Sequence, residues 1–211
     1  MLNFHLISIF PDSVDSYVNE SIIKRAIEAK KIAIKKYNPR DFTKDKHKKV
    51  DDKPYAGGPG MVMTVQPIVD AVKKATAKNP KAKIIILSPR GKQFDNNEAK
   101  KLAKQKDIVL ISGRYEGIDG RVKKILKATE YSIGPYTLTG GELPALVMID
   151  AIARQVPGVL GKFESLEDER LTTGEVYTRP EVFAYKNKKY KVPPVLLSGD
   201  PKKITEWRKG K

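Results

Sequence analysis

The chain has 211 residues, 40% hydrophobic and 31% charged, enough for one full core and a small appendage and too apolar for a disordered tail. Its 41 Lys and Arg stand against 25 Asp and Glu, a formal charge of +16 that favours a polyanionic partner, nucleic acid first, although a lysine-rich surface kept for solubility is the plainer reading. The absence of Cys excludes disulfides, thiolate metal sites and cysteine nucleophiles, and His5 and His47 leave little for an imidazole metal site.

No apolar run approaches the ~18–20 residues that cross a bilayer, and Met1-Leu2-Asn3-Phe4-His5 lacks a charged region ahead of an apolar stretch. No membrane partner is expected, and a cytoplasmic location is the default.

In chain order, Phe4 to Phe10 alternates and is rich in β-formers, Pro11-Asp12-Ser13 breaks it, and Ile22, Ile23, Ala26 and Ile27 recur at helical spacing. The polar, glycine-bearing stretch from Thr43 to Gly60 is too long for a simple connection and reads as a functional or mobile loop. Within it, Lys44 to Lys49 reads as a solvated run. Pro67 suits a first helical position, with Ile68, Val69 and Val72 on one face. Three apolar runs follow, Ile84–Leu87, Ile108–Ile111 and the weaker Tyr131-Ser132-Ile133, separated by helix-like segments. Continuous apolar runs between amphipathic helices predict an α/β fold whose parallel strands are covered on both faces. Leu143 to about Val156, with Pro144 near its start, predicts a further helix ended by Pro157-Gly158. Beyond Gly161 a charged segment, Lys162 to Arg170, reads as a linker, and a short basic tail rich in Lys and Tyr closes the chain. The divisions are residues 1–160, 161–173 and 174–211.

Each apolar run leads into a glycine-bearing loop: Ser88-Pro89-Arg90-Gly91, then Gly113 to Gly120, then Gly134 to Glu142. In open α/β sheets ligands bind beyond the carboxyl ends of the strands, where glycine lets backbone approach them, so three such loops form a candidate pocket. One alone would be structural more often than not. Neither a phosphate-binding G-x-x-x-x-G-K-[ST] loop nor a G-x-G-x-x-G fingerprint is present.

Val50-Asp51-Asp52-Lys53-Pro54-Tyr55-Ala56-Gly57-Gly58-Pro59-Gly60-Met61, Leu87-Ser88-Pro89, Gly113-Arg114-Tyr115-Glu116-Gly117-Ile118-Asp119, Ser132-Ile133-Gly134, Gly140-Gly141-Glu142-Leu143-Pro144-Ala145, Pro157-Gly158-Val159-Leu160-Gly161 and Tyr177-Thr178-Arg179-Pro180 together resemble the bacterial tRNA (guanine-N1)-methyltransferase family, TrmD. The resemblance runs in order from about Phe4 to Trp207. It implies a SPOUT-class fold, a parallel α/β sheet with a deep C-terminal trefoil knot, an exception to the rule that chains avoid knots. A small, shortened C-terminal domain of helical or irregular structure follows. It implies a cytoplasmic homodimer that uses S-adenosylmethionine to methylate N1 of the guanine at tRNA position 37, beside the anticodon. Magnesium is an accessory ion it allows. Carried onto this sequence, the donor falls to Leu87, Ser88 and Pro89, to Gly113, Tyr115, Glu116 and Gly117, and to Ser132, Ile133, Gly134, Pro135, Tyr136, Thr137 and Leu138 with Gly140, Gly141 and Pro144.

Guanine N1 carries a proton at neutral pH, so its methylation needs a base at N1 and a cation or donor for the charge that gathers on O6. The resemblance places the arginine at Arg154 and the base at Glu169, with Asp168 its competitor; the family's usual Asp-Ser-Phe is here Glu169-Arg170-Leu171. By itself Arg154 reads as a helix C-terminal cation favoured by the macrodipole, and Glu164 to Arg170 reads as a solvated linker. Glu116 either closes its turn or sets a carboxylate near the cationic donor or the ion. Lys186, Lys188, Lys189 and Arg179 are the expected RNA contacts, with Lys191, Tyr185 and Tyr190 interleaved. His5, in an apolar strand, reads as core.

Pro135 and Gly120 stand where the family often carries acids, the connection from Gly174 to Tyr177 is short, and the sequence ends soon after Trp207-Arg208, where relatives continue into further helices. The competing readings are a SPOUT methyltransferase acting on another RNA site and a basic RNA-binding protein without catalysis.

Overall fold

The structure, a computed structural model, describes residues 1–55, 57–160 and 175–208. The chain divides into two compact units, Met1–Gly161 and Lys162–Lys211. In the first, β1 (Leu2–Ile7) leads through a 3-10 turn (Pro11–Val14) into α1 (Asp15–Val18) and α2 (Ser21–Glu28), then β2 (Ile32–Tyr37). The short strands β3 (Asp51–Asp52) and β4 (Val62–Met63) precede α3 (Val65–Thr76), β5 (Lys83–Gln93), α4 (Asn96–Leu102), β6 (Asp107–Ser112), α5 (Gly120–Leu126), β7 (Thr129–Ser132) and α6 (Glu142–Ala153).

Five strands form one parallel sheet in the order β2-β1-β6-β5-β7. Side chains alternate faces along each strand. Leu2, Phe4 and Leu6 of β1, with Ile108 and Leu110 of β6, pack against α2, α4 and α6 on one side. Ile7, Val109 and Ile111 pack against α3 and α5 on the other. Every residue of β1 and β6 is buried, the mark of a parallel sheet covered twice. Alternation in β1 therefore separates two buried faces; the strand ends at Ile7, not Phe10.

Several sequence expectations need correction. The edge strand β2 carries Lys35 and Lys36 towards solvent, so its apolar signal is only Ile32, Ala33 and Ile34. Pro67 lies at the third position of α3, not the first, and Pro144 at the third of α6, which starts at Glu142 rather than Leu143; both fall in the first turn, where the missing N–H costs no helical hydrogen bond. The stretch Ser88–Gly91 interrupts β5 rather than following it. Leu87 and Lys92 both align with Tyr131 of β7, and the residues between them loop out of the sheet. Gly91 makes this possible, because a Cβ there would lie 2.5 Å from Tyr131 N and 2.6 Å from the Glu130 carbonyl carbon. His5 is indeed core: Nε2 lies 2.9 Å from Asp107 Oδ1 and Nδ1 3.3 Å from the Tyr37 hydroxyl.

In the second unit β8 (Val182–Tyr185) and β9 (Lys188–Lys191) form an antiparallel hairpin, followed by α7 (Pro194–Leu197) and α8 (Pro201–Arg208). The tail is thus ordered around a hairpin as well as helices, which the notion of a helical or irregular domain leaves out.

The interrupted strand is fastened through Glu98. Asp95 caps α4 by accepting from Glu98 N at 2.8 Å. The buried Glu98 carboxylate meets Lys92 at 2.8 Å and Lys101 at 2.9 Å, and accepts the Tyr131 hydroxyl proton at 2.5 Å. The hydrogen bonds from Lys101, Lys92 and Tyr131 lower the Glu98 pKa to about 2. Burial and the Glu98 carboxylate push the Tyr131 phenol up to about 12. The stability linked to Glu98 is present above its ordinary pKa of 4.5 and is lost as pH falls towards 2; that linked to Tyr131 is present below 10 and is lost as pH rises towards 12. Urea unfolding across this range should show both losses. Glu98→Gln should flatten the acid limb, Tyr131→Phe the alkaline limb, and Glu98→Ala should cost about 1–3 kcal/mol at neutral pH by leaving the buried phenol unpaired.

Candidate functional site

At the carboxyl ends of β6 and β7 and at the interruption of β5 three loops enclose a cavity of about 560 Å³. Its size falls within the ~300–1,000 Å³ of small-molecule sites. The interruption of β5 supplies Ser88, Pro89 and Arg90; the β6–α5 loop supplies Gly113 through Gly120; the β7–α6 loop supplies Ser132, Ile133, Gly134 and Tyr136 through Gly141, with Pro144 from α6.

The β6–α5 loop is pinned from outside by the segment around β4. Glu116 N donates to Met61 O at 2.9 Å, Met63 N to Gly117 O at 2.9 Å and Asp119 N to Met63 O at 3.0 Å. Tyr115, at φ 59°, occupies the left-handed region that non-glycine residues seldom adopt, a strain these bonds hold in place. Asp119 caps α5, accepting from Arg121 N at 2.9 Å, and the Arg121 guanidinium keeps its carboxyl below the usual range.

The β7–α6 loop returns across the sheet to β6. Gly141 N donates to Gly113 O at 2.9 Å, and a Cβ on Gly141 would sit 2.6 Å from Ser112 Cα and 2.9 Å from Gly113 N. Next to it Glu142, buried at the start of α6, accepts from Ser8 Oγ at 2.6 Å and pairs with Arg114 Nε at 3.0 Å. The Arg114 guanidinium also lies 4.8 Å over the Phe10 ring. An acid in the first turn suits the helix dipole, and here it ties the ends of β1 and β6 to α6.

Of the residues expected to hold the donor, Pro135 alone lies outside the cavity lining. It is exposed, on the outer side of the loop whose neighbours Gly134 and Tyr136 face inward. The lining also includes Arg90, Arg114, Asp119, Lys123, Glu130 and Tyr131, which sequence reasoning did not single out as ligand contacts. Arg114 and Asp119 were legible only as members of a glycine-bearing loop; Glu130 and Tyr131 join because β7 abuts the interrupted β5.

Arg154 caps the C-terminus of α6 and is not part of the cavity lining. Glu169 and Asp168 lie outside the described residues. Arg179, Lys186, Lys188 and Lys189 are exposed in the second unit. Among the described residues no group of three or more His, Asp or Glu side chains is placed to hold a metal ion, and no helix is long and apolar enough to cross a membrane.

The family described as tRNA (Guanine-1)-methyltransferase TrmD matches residues 2–211. The chain belongs to the TrmD family. A tRNA (guanine-N(1)-)-methyltransferase of Clostridioides difficile (strain 630) is 48% identical over 216 aligned positions, covering 99% of this chain and 91% of that protein. The protein of the same description from Pseudoalteromonas atlantica is 45% identical, covering 97% of this chain and 78% of the relative. Among solved structures, the tRNA (m1G37) methyltransferase of Aquifex aeolicus superposes with a TM-score of 0.81 at 37% identity, covering 99% of this chain and 88% of that one. In this TrmD chain the tightest test of the cavity's construction is Gly141→Ala. The added methyl meets main chain, which cannot swing aside, so urea unfolding should show a loss of about 1–3 kcal/mol. An unchanged midpoint would mean that the loop shifts freely.

Proposed function

We propose that this chain is an S-adenosylmethionine-dependent methyltransferase that modifies N1 of the guanine at tRNA position 37, working as a homodimer. The observation that carries the reading is the glycine-edged cavity formed by the loops that leave β6 and β7 and the one that interrupts β5, in a chain of this family. The lining suits the donor chemically: Leu87, Ile133, Leu138 and Pro144 offer apolar surface for an adenine ring. Main-chain groups of the glycine loops offer hydrogen bonds, and the Glu116 carboxylate offers negative charge to a sulfonium or an ammonium, whereas Asp119 and Glu130 are paired with Arg121 and Lys123. Bound there, S-adenosylmethionine supplies an electrophilic methyl group. Glu169 takes the proton from guanine N1, with Asp168 the competing base, and Arg154 holds the charge that develops on O6. The described residues gather no metal site, and no step here passes through magnesium.

Two features favour a site shared between subunits. Arg154 stands ten residues beyond Pro144 on α6 and its cap, about 15 Å along a helix, whereas Pro144 lines the cavity; a second copy is the economical way to bring a guanidinium to the donor. Leu143 and Val147, at adjacent turns of α6, are 61% and 47% exposed, and Phe10 and Tyr17 are also exposed aromatics of this unit. Such apolar surface suits an interface between copies. We also read residues 133–141 as part of a trefoil knot. Having left β7 at the sheet edge, the chain reaches Gly113 at the end of β6, and so must cross the loop that interrupts β5. Residues 174–211 serve tRNA binding, joined through a linker at 161–173, in a cytoplasmic enzyme.

Methyl transfer to transcripts carrying guanosine or adenosine at position 37 tests the reading: activity should require the guanosine. Arg154→Ala should lower kcat about 100-fold or more, and one of Glu169→Gln and Asp168→Asn should do the same. Full activity in both carboxylate variants overturns the base assignment, and equal methylation of both transcripts overturns the target. Val147→Asp should sediment as a monomer and lose methyl transfer while each subunit's cavity still takes the donor.

A further inference from the structure

The hairpin of the second unit has a two-sided construction that its sequence does not display. Lys186 and Asn187 both have positive φ, 44° and 61°, the conformation of a two-residue turn that keeps β8 and β9 in tight register. That register sets Phe183 opposite Tyr190 and Tyr185 opposite Lys188; the alternate pairs are Val182 with Lys191 and Ala184 with Lys189. Directly opposed residues share a face of the ribbon. One face therefore gathers Phe183, Tyr185 and Tyr190 beside Lys188, and the other carries Lys189 and Lys191 over small or β-branched residues.

None of this is packed. Phe183, Tyr185 and Tyr190 are 58%, 56% and 55% exposed, and every residue of both strands is exposed. A two-stranded ribbon gains little stability from aromatic rings facing water. Residues 182–191 contain four lysines and no acid, and among the described residues none of those lysines has an ion pair. Lys186 Nζ instead lies 5.5 Å over the Tyr185 ring.

From this juxtaposition we infer that the hairpin is a binding site for unpaired RNA nucleobases, the Phe183, Tyr185 and Tyr190 face stacking the bases while the flanking lysines neutralise the phosphates. Phe183 and Tyr185 stand about 6.8 Å apart along the strand, twice the ~3.4 Å rise of stacked bases, so one base fits between two rings. Planar rings among cations match single-stranded nucleic acid, whose bases are unstacked and whose backbone is charged at every residue. A duplex hides the faces of its bases and offers only phosphates. The inference rests on the proposed function, in that a tRNA substrate supplies the unpaired stretch, and it specifies which part of that RNA the second unit holds.

The test uses the full chain and a single-stranded RNA oligonucleotide carrying 2-aminopurine, beside the same strand in a duplex. Fluorescence titration should show quenching and tighter binding for the single strand. Phe183→Ala with Tyr190→Ala should weaken that binding about 10-fold or more with an unchanged salt dependence. Lys186→Gln, Lys188→Gln and Lys189→Gln together should lower the slope of log K against log salt by about 2. Phe183→Leu with Tyr190→Leu keeps the apolar area without the π-faces and guards against misfolding in the alanine pair. It should bind as weakly as the alanine pair, and wild-type affinity in it would overturn stacking. Equal affinity for duplex and single strand, preferential binding to phosphatidylglycerol vesicles, or loss of the single-strand signal on self-association would each overturn the assignment. Oligonucleotide binding that follows the hairpin in a chain unable to methylate tRNA would sink the functional reading and leave this one standing.

Discussion

Main chain lies directly on main chain at two places in the first unit, Gly91 against Tyr131 and Gly141 against Ser112 and Gly113, and the cavity depends on both. A side chain at either position would drive apart segments that hydrogen bonds and strand pairing hold together, so the loops that interrupt or leave β5, β6 and β7 close over one space only because these contacts carry no Cβ. Backbone packed this closely also presents amide and carbonyl groups at fixed positions, which is what a ligand with many polar edges and a positive centre requires.

Ionic contacts supply what close packing cannot. Glu142 joins Ser8 at the end of β1, Arg114 beyond β6 and the first turn of α6. Glu98 joins Lys92 just past the interruption of β5 and the Tyr131 ring of β7. Each carboxylate is buried and met by more than one donor, which offsets the cost of withdrawing it from water. Together they tie both sides of the cavity to the sheet, so the loops have little freedom to drift.

The two units divide the physical work. The first concentrates buried apolar surface and glycine contacts around a small-molecule cavity; the second is exposed, lysine-rich and aromatic. A net charge of +16 draws a polyanion to the whole molecule, but charge alone does not choose among polyanions. Choice needs local geometry, here the ring spacing and opposed pairs of a tight hairpin.

Much of this was open to a reading of the residues alone. The runs Ile84–Leu87 and Ile108–Ile111, four successive large apolar β-formers each between helix-like segments, pointed to strands of a sheet covered on both faces, and the glycine-bearing loops after them marked the ligand side of an α/β sheet. Long spaced motifs such as Gly113–Asp119 and Gly140–Ala145 pointed to the family. Tertiary structure decided the rest. That Ser88–Gly91 interrupts β5, that Tyr131 and Glu130 line the cavity, and that Glu98 joins Lys92 to Tyr131 all depend on β7 pairing beyond β5, a contact between residues about 40 positions apart that no local period encodes. Strand β2 gives little apolar signal because Lys35 and Lys36, on opposite faces of it, both meet solvent, and the aromatic face of the hairpin gives none because alternation along β8 and β9 becomes a surface only when register fixes which residues oppose one another. Local sequence determines which segments bury and which turn; which segments meet is set by the packing of the whole chain.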